Sequence, residues 1–285
     1  EYIHRYQTDY YLTDQYYRQA TELYFKIDPT NELFDTIQKV KLSLDQNYSK
    51  LCNRINLEWT RCLKETGGMD NVHLLRQENF YDEKIKPIQK KVAVIVSDAL
   101  RYEIAQELIG ELAKSRHIAS LKPALAMLPT ETKHRKPALL AHQELQLYGQ
   151  GDEQDMAVDN RILSDTTKRC EHLQKYRDGA ICVNFETVAE YNQDKNREIF
   201  KHSLVYIFHD VIDKNGHNGT SKEIVTNCRT AIKELATMIP KIHASYNVTE
   251  VYVTSDHGFL FNDIQFAEKD KHKINEECLE RSTRY

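Results

Sequence analysis

Two apolar runs in this chain stop on carboxylates. Residues 91–101 read KVAVIVSDALR and residues 251–259 read VYVTSDHGF, so Asp98, Asp256 and His257 each follow a β-branched stretch. If both runs are strands of an open α/β sheet, their carboxyl ends face one crevice, which is where such sheets bind ligands. Two carboxylates and an imidazole converging on one place suit a metal ion.

Two further stretches offer chemistry. Leu128-Pro129-Thr130-Glu131-Thr132 closes another apolar segment and opens into Lys133-His134-Arg135-Lys136. A threonine at a helix start is ordinarily a cap. Beside a divalent ion, however, its hydroxyl loses its proton more readily and becomes a nucleophile. The four basic residues and the helix dipole behind it would draw an incoming phosphate, although a solvated basic patch is the plainer account of the same four. The run LVYIFHDVID at 204–213 leads into Lys214-Asn215-Gly216-His217, where Asp213 and His217 share a Gly-containing loop that can fold onto one ion. It is not a calcium loop of the EF-hand kind, because position 12 counted from Asp213 is Ile224 rather than a bidentate glutamate. His209 and Asp210, nearer the strand, read as supports. Asp98 taken alone reads as a helix cap, and Arg101 either contacts an anion or pairs with Glu103 or Glu107. Three carboxylates, two imidazoles and a hydroxyl favour zinc or manganese over an all-oxygen magnesium site.

The elements that must position these groups follow from periodicity. Residues 1–26 are dense in tyrosine, and Leu33, Ile37, Val40, Leu44, Leu51, Ile55 and Leu63 recur at helical spacing. Two helices are expected, split at Asp28-Pro29, the second capped by Asn31 and stopped by Gly67-Gly68. This hairpin would pack on the main domain or on a partner. From residue 91 the pattern alternates: strand 91–97, helix 99–115, strand 118–127, helix 133–148 and a polar loop through Gly149, Gly151 and Asp152. Then come helix 160–176, strand 179–183, helix 185–199, strand 203–209, helix 220–245 and strand 249–255. Such alternation predicts a mostly parallel sheet covered on both faces, with right-handed crossovers. The expected division is a helical lead-in over residues 1–84 and an α/β core over 85–285.

Arranged in order, VSDALR, LPTETK, IDKNGH and TSDHGF resemble the alkaline phosphatase superfamily, and specifically the PglZ domain of bacterial BREX phage-defence systems. The resemblance covers roughly residues 91–262, and DALRYE and DHGFLF carry it most specifically. It implies an alkaline-phosphatase-like α/β fold, a mostly parallel sheet with helices on both faces, preceded by an N-terminal helical segment. It makes Thr132 the nucleophile and, with Asp98, Asp256 and His257, a ligand of one divalent ion. Asp213 and His217 would hold a second ion. Zinc is the expected metal, with manganese or magnesium as alternatives, and Arg101 and Lys133 are the candidates for substrate phosphate. The superfamily completes its second site with another histidine beyond the DHG element, for which His272 or a residue past Tyr285 would serve. Residues 133–136 depart from the small, neutral pattern of the family. The implied function is a metal-dependent phosphatase or phosphodiesterase acting on a phosphate ester, nucleic acid among them, beside other BREX proteins. A catalytically silent, metal-stabilised scaffold is the competing reading. A secreted sulfatase or nucleotide phosphodiesterase shares the metal motifs but predicts a signal segment and disulfides.

Composition narrows these classes. With 285 residues, 40% hydrophobic and 29% charged, the chain can build one large core with an appendage. A net charge of −4 argues against a general nucleic-acid-binding surface. Cys52, Cys62, Cys170, Cys182, Cys228 and Cys278 form no CxxC and no close pair, which predicts neither a zinc knuckle nor a disulfide framework and fits a reducing compartment. Apolar runs fall short of the ~20 residues that span a bilayer, and the first residues lack the blocks of a signal peptide. A cytoplasmic protein is expected, and the start at Glu1 without methionine fits a piece excised from a longer one. The N-x-S/T matches at Asn47, Asn218 and Asn247 would matter only after secretion.

Overall fold

Tyrosine does most of the packing in the first third of the chain. In the computed structural model, which describes residues 1–128, 132–149, 155–214 and 219–261, α1 (Tyr2–Arg5) passes through a π-helical turn (Tyr6–Tyr10) into α2 (Tyr11–Tyr24), and α3 (Phe34–Thr66) returns against it. Tyr17 stacks on Tyr48 with ring centroids 3.7 Å apart, while the Tyr48 and Tyr6 hydroxyls both donate to Asp14 at 2.7 Å. The turn between helices is held by side chains, with Asn31 Oδ1 accepting the Leu33 N–H at 2.9 Å. Gly67 closes α3 at φ 85°, and the Gly68 N–H returns to the Leu63 carbonyl at 2.8 Å, the left-handed ending that only glycine adopts without strain.

The core is built on four parallel strands. After β1 (Leu75–Arg76) come β2 (Val92–Ser97), α4 (Tyr102–Lys114), β3 (Ala124–Leu125), α5 (Thr132–Ala138), β4 (Leu145–Tyr148), β5 (Asp155–Val158), β6 (Arg161–Ile162) and α6 (Thr166–Gln174). β7 (Ala180–Asn184), α7 (Phe185–Glu190), α8 (Gln193–Ile199), β8 (Leu204–His209), α9 (Ser221–Tyr246) and β9 (Glu250–Thr254) complete the order. The main sheet runs β7-β8-β2-β9, all parallel. Every residue of β2 and β8 is buried, as strands covered on both faces must be. Alternate residues feed two cores: Ala93, Ile95, Val205 and Ile207 pack with α4 and α9, while Val92, Val94, Val96, Leu204, Tyr206 and Phe208 pack with Leu139, Leu140 and Leu173 on the other face. Phe80, Tyr81 and Ile85 belong to that second core, so the segment before β2 is built into the α/β body.

Several expected elements take another form, each for a local reason. The helix expected from 99 starts at Tyr102, because Ala99 sits at φ 59° and Arg101 is extended. The strand expected over 118–127 pairs only at Ala124–Leu125, directly after Pro123, which has no N–H to give a ladder. The helix expected over 133–148 ends at Ala138, one residue past Pro137, and the Leu-Gln-Leu-Tyr alternation makes β4 instead. β4, β5 and β6 form a small antiparallel sheet where a polar loop and a helix start were expected. Its tight turn is Asp159-Asn160, with φ of 48° and 63°, the left-handed pair that hairpins favour. α6 therefore begins only after Asp165, whose side chain accepts the Lys168 N–H. The helix expected over 185–199 is two, restarted by the Asn192 cap. Among the described residues no helix is long and apolar enough to cross a membrane.

Candidate metal centre

β2 and β9 lie side by side, with Val96 registered against Thr254. Two residues further along each strand, Asp98 and Asp256 come level at the carboxyl edge of the sheet. Ala99 then turns through its left-handed conformation and donates its N–H to Asp256 Oδ1 at 3.2 Å. The backbone of the other side is tied down by Gln77, whose Nε2 donates to the Ser255 and Asp256 carbonyls at 2.9 and 2.5 Å. Gln77 Oε1 also accepts the Met127 N–H at 3.3 Å, which ties the segment just past β3 to the same point. On β8, His209 bridges Ser97 and Glu234 at 2.9 and 3.0 Å, and its carbonyl accepts the Asp98 N–H at 2.7 Å.

The side chains meet at one spot. Among the described residues, Asp98, Asp256 and His257 are the one group of three or more ligand-type residues with ligand atoms all within 4.8 Å of one another, and all three are buried. His257 Nε2 lies 3.2 Å from Asp98 Oδ1 and 3.9 Å from Asp256 Oδ2. Thr132 Oγ1 enters the same space, 2.8 Å from His257 Nε2 and 3.4 Å from Asp98 Oδ1. Lys136, one turn after Thr132 on α5, places Nζ 2.6 Å from the other oxygen, Asp98 Oδ2.

These residues fit a divalent ion on two counts. Asp256 Oδ2 is buried and has no hydrogen-bond partner, a costly state for a carboxylate oxygen that a cation would relieve. His257 Nδ1 lies 2.9 Å from the Gly258 carbonyl, so the proton of the neutral ring belongs there and the Nε2 lone pair faces the carboxylates. Protonation and metal binding compete for that lone pair. Burial drives the Asp256 carboxyl up to about 7, with the Asp98 charge pushing the same way. Burial would raise Asp98 too, but its bond to His257 and the Lys136 charge hold it well below the usual carboxylate range. Burial would lower His257, and the bond to Asp98 reverses that and raises it.

The remaining sequence-derived residues fall as follows. Asp213 is half-buried in a turn after β8 and is not part of the three-residue group. His217 and His272 lie outside the described residues. Lys133 is half-buried on the first turn of α5. Arg101 pairs with neither Glu103 nor Glu107: its Nη2 reaches Asp14 on α2 at 2.9 Å, its guanidinium lies over the Phe259 ring, and Nη1 has no hydrogen-bond partner. The solvated basic patch is replaced by buried side chains, since His134, Arg135 and Lys136 are all enclosed and burial lowers Arg135 to about 10. Lys136 as counter-ion to Asp98 was readable in principle from its i, i+4 spacing to Thr132, which sets both on one helix face. Gln77 carried no sequence signal.

Residues 80–285 match the family described as the BREX system PglZ alkaline phosphatase-like domain. The alkaline phosphatase-like protein BrxZ of Escherichia coli O9:H4 (strain HS) is 34% identical over 204 residues, which is 69% of this chain and 23% of that protein. The alkaline phosphatase-like protein PglZ of Bacillus cereus (strain H3081.97) is 24% identical over 282 residues, 94% of this chain and 32% of that protein. The chain thus spans less than a third of the length of these curated relatives. The match covers more than half of the chain, and the chain belongs to the PglZ family of BREX-system alkaline phosphatase-like domains.

Proposed function

We propose that this chain is the metal-dependent phosphoryl-transfer domain of a cytoplasmic BREX defence component, with Thr132 as nucleophile. The observation that supports this most is the convergence of Thr132 Oγ1, His257 Nε2 and Asp98 Oδ1 within 3.4 Å, beside the unpartnered Asp256 Oδ2. Asp98, Asp256, His257 and Thr132 would hold one divalent ion, and Asp213 with His217 a second. Two carboxylates and an imidazole suit zinc, with manganese or magnesium as alternatives. When bound, such ions lower the pKa of an adjacent hydroxyl and offset the charge of phosphoryl oxygens.

The chain's own residues do the rest. Asp98 Oδ1 accepts a hydrogen bond from the Thr132 hydroxyl and orients its oxygen for in-line attack. The hydroxyl proton passes to solvent, and the ester oxygen leaves with the bonding electron pair and takes up a proton from water, giving a phosphothreonine that water hydrolyses. Lys136 keeps Asp98 ionised by occupying its other oxygen. Arg101 Nη1 and Lys133 are the donors assigned to the phosphoryl oxygens.

The test is hydrolysis of p-nitrophenyl phosphate and bis-p-nitrophenyl phosphate with zinc, manganese or magnesium. Turnover is expected in the wild type and none in Thr132→Ala, which should fold nearly as well because the lost hydroxyl is worth only ~1 kcal/mol at a helix start. Equal rates in both proteins would remove Thr132 from the mechanism. Asp256→Ala should lower bound metal measured by elemental analysis, and unchanged metal content would remove the centre itself.

A further inference from the structure

We propose that Cys170 and Cys182 form a peroxide-reactive thiol pair, in which a hydroperoxide oxidises Cys170 and Cys182 resolves the product to a disulfide. The two are separated in sequence and meet where α6 packs against β7, the edge strand of the main sheet. Two donors reach the Cys170 sulfur: the Cys182 backbone N–H at 3.3 Å and Gln174 Nε2 at 3.6 Å. Hydrogen bonds to a sulfur favour the thiolate over the thiol, and the thiolate is the reactive form. The Cys182 thiol bond is the largest cause drawing Cys170 down to about 6, against the opposing effect of burial, with His202 adding to the fall. Its partner has the opposite character. Cys182 is buried, and its bond to Cys170 together with burial pushes its thiol up.

The arrangement separates two roles. Cys170 is only half-buried, so a small oxidant reaches it, while Cys182 is buried in the core beside it. In the first step the Cys170 thiolate attacks one peroxide oxygen, the O–O bond breaks, and hydroxide leaves as Cys170 becomes a sulfenic acid. In the second, the Cys182 sulfur attacks Cys170 and loses its proton. The S–O bond breaks, and the departing hydroxide takes up that proton as water. Two thiols and one peroxide give one disulfide and two waters, so the pair loses two electrons to the peroxide. Cys52 and Cys228, by contrast, are held as thiols by burial.

Two readouts on the unmodified chain test this. At pH 7, iodoacetamide should alkylate Cys170 about tenfold faster than the half-buried Cys62 of α3, because the thiolate is the reactive form. After stoichiometric hydrogen peroxide, a non-reducing digest should contain the peptide bearing Cys170 joined to the peptide bearing Cys182. In Cys182→Ser, dimedone should trap a sulfenic acid at Cys170. Alkylation of Cys170 no faster than Cys62, survival of both thiols after peroxide, or linkage of Cys170 to a different cysteine would each overturn the proposal.

Discussion

Two clusters of buried charge, one at the seam of α2, α4 and α9 and one at the end of β2 and β9, are built to different rules. At the seam between the hairpin and the core, Arg18 reaches both oxygens of Glu103 at 2.9–3.2 Å and Glu107 Oε2 at 2.6 Å. Arg229 bonds the other Glu107 oxygen and meets Glu22 at 3.1 Å, while Lys26 takes the remaining Glu22 oxygen at 2.6 Å. Three carboxylates face three cations, and each carboxylate oxygen has one. At the end of β2 and β9 the count is short: Lys136 pairs with Asp98 alone, and Asp256 Oδ2 has no hydrogen-bond partner, with His257 Nε2 3.9 Å away. Burial is resisted in both places, but the seam offsets it with guanidinium forks that hold Glu107 below its usual range, whereas Asp256 is left high. A closed ion-pair network holds two parts of a fold together. An open one, deficient by a positive charge, is what a cation site looks like before its cation arrives.

The largest effect should come from the closed network. Arg18→Met strands Glu103 and one oxygen of Glu107 in a buried environment, and should cost about 3–5 kcal/mol in urea unfolding. Zinc and EDTA should make no difference to that loss. Lys136→Met strands Asp98 instead, where His257 can still share the charge, so the expected cost in EDTA is about 3 kcal/mol. Here zinc should recover most of it, because the ion supplies the missing positive charge to the same carboxylates. A Lys136→Met deficit that stays the same with and without metal would erase the distinction between the two clusters.

How much of this was legible depends on how far apart the cooperating residues are in sequence. Asp98, Asp256 and His257 were readable because each closes a β-branched run, and parallel strands align such ends without further information. The Thr130–Thr132 stretch is readable from its place between an apolar run and a helical one, and the family resemblance singles out Thr132 within it. Lys136 was visible but misjudged: a run of four basic residues reads as solvated, and only the packing of α5 against β5 and the sheet encloses it. Gln77 was invisible, since nothing about a glutamine 178 residues before Ser255 announces that it will hold that carbonyl. The β4-β5-β6 sheet escapes a sequence reading because its strands are only two to four residues long, although Asp159-Asn160 is a hairpin turn signal. Arg101 reads in the sequence as an anion contact or a partner of Glu103 or Glu107, and the hairpin supplies Asp14, which a local reading cannot foresee.

The smallest effect, and the most discriminating, is in pH. Asp256 is raised above its unfolded value of about 4, so between pH 4 and 7 the folded metal-free chain binds a proton that the unfolded chain has lost. The unfolded state then holds fewer protons, and stability falls as pH rises through that window. His257, also raised, adds a fall that begins near its unfolded value of about 6.5. Asp98 is lowered, so its contribution is present above about pH 4 and is lost only in more acid solution. In EDTA the chain should therefore lose about 2 kcal/mol between pH 5 and 7.5, and Asp256→Asn should remove most of that slope. With zinc the sign reverses, because Asp256 and His257 must both be deprotonated to ligate and each proton lost favours the ion. The seam has no counterpart to this behaviour: Glu22 and Glu107 are both lowered and stay ionised throughout the same range. Urea unfolding of wild type and Asp256→Asn at pH 5, 6, 7 and 7.5, with EDTA and with zinc, separates the cases. Parallel pH profiles with and without metal would mean that Asp256 is merely a buried acid and that its bare oxygen awaits no ion.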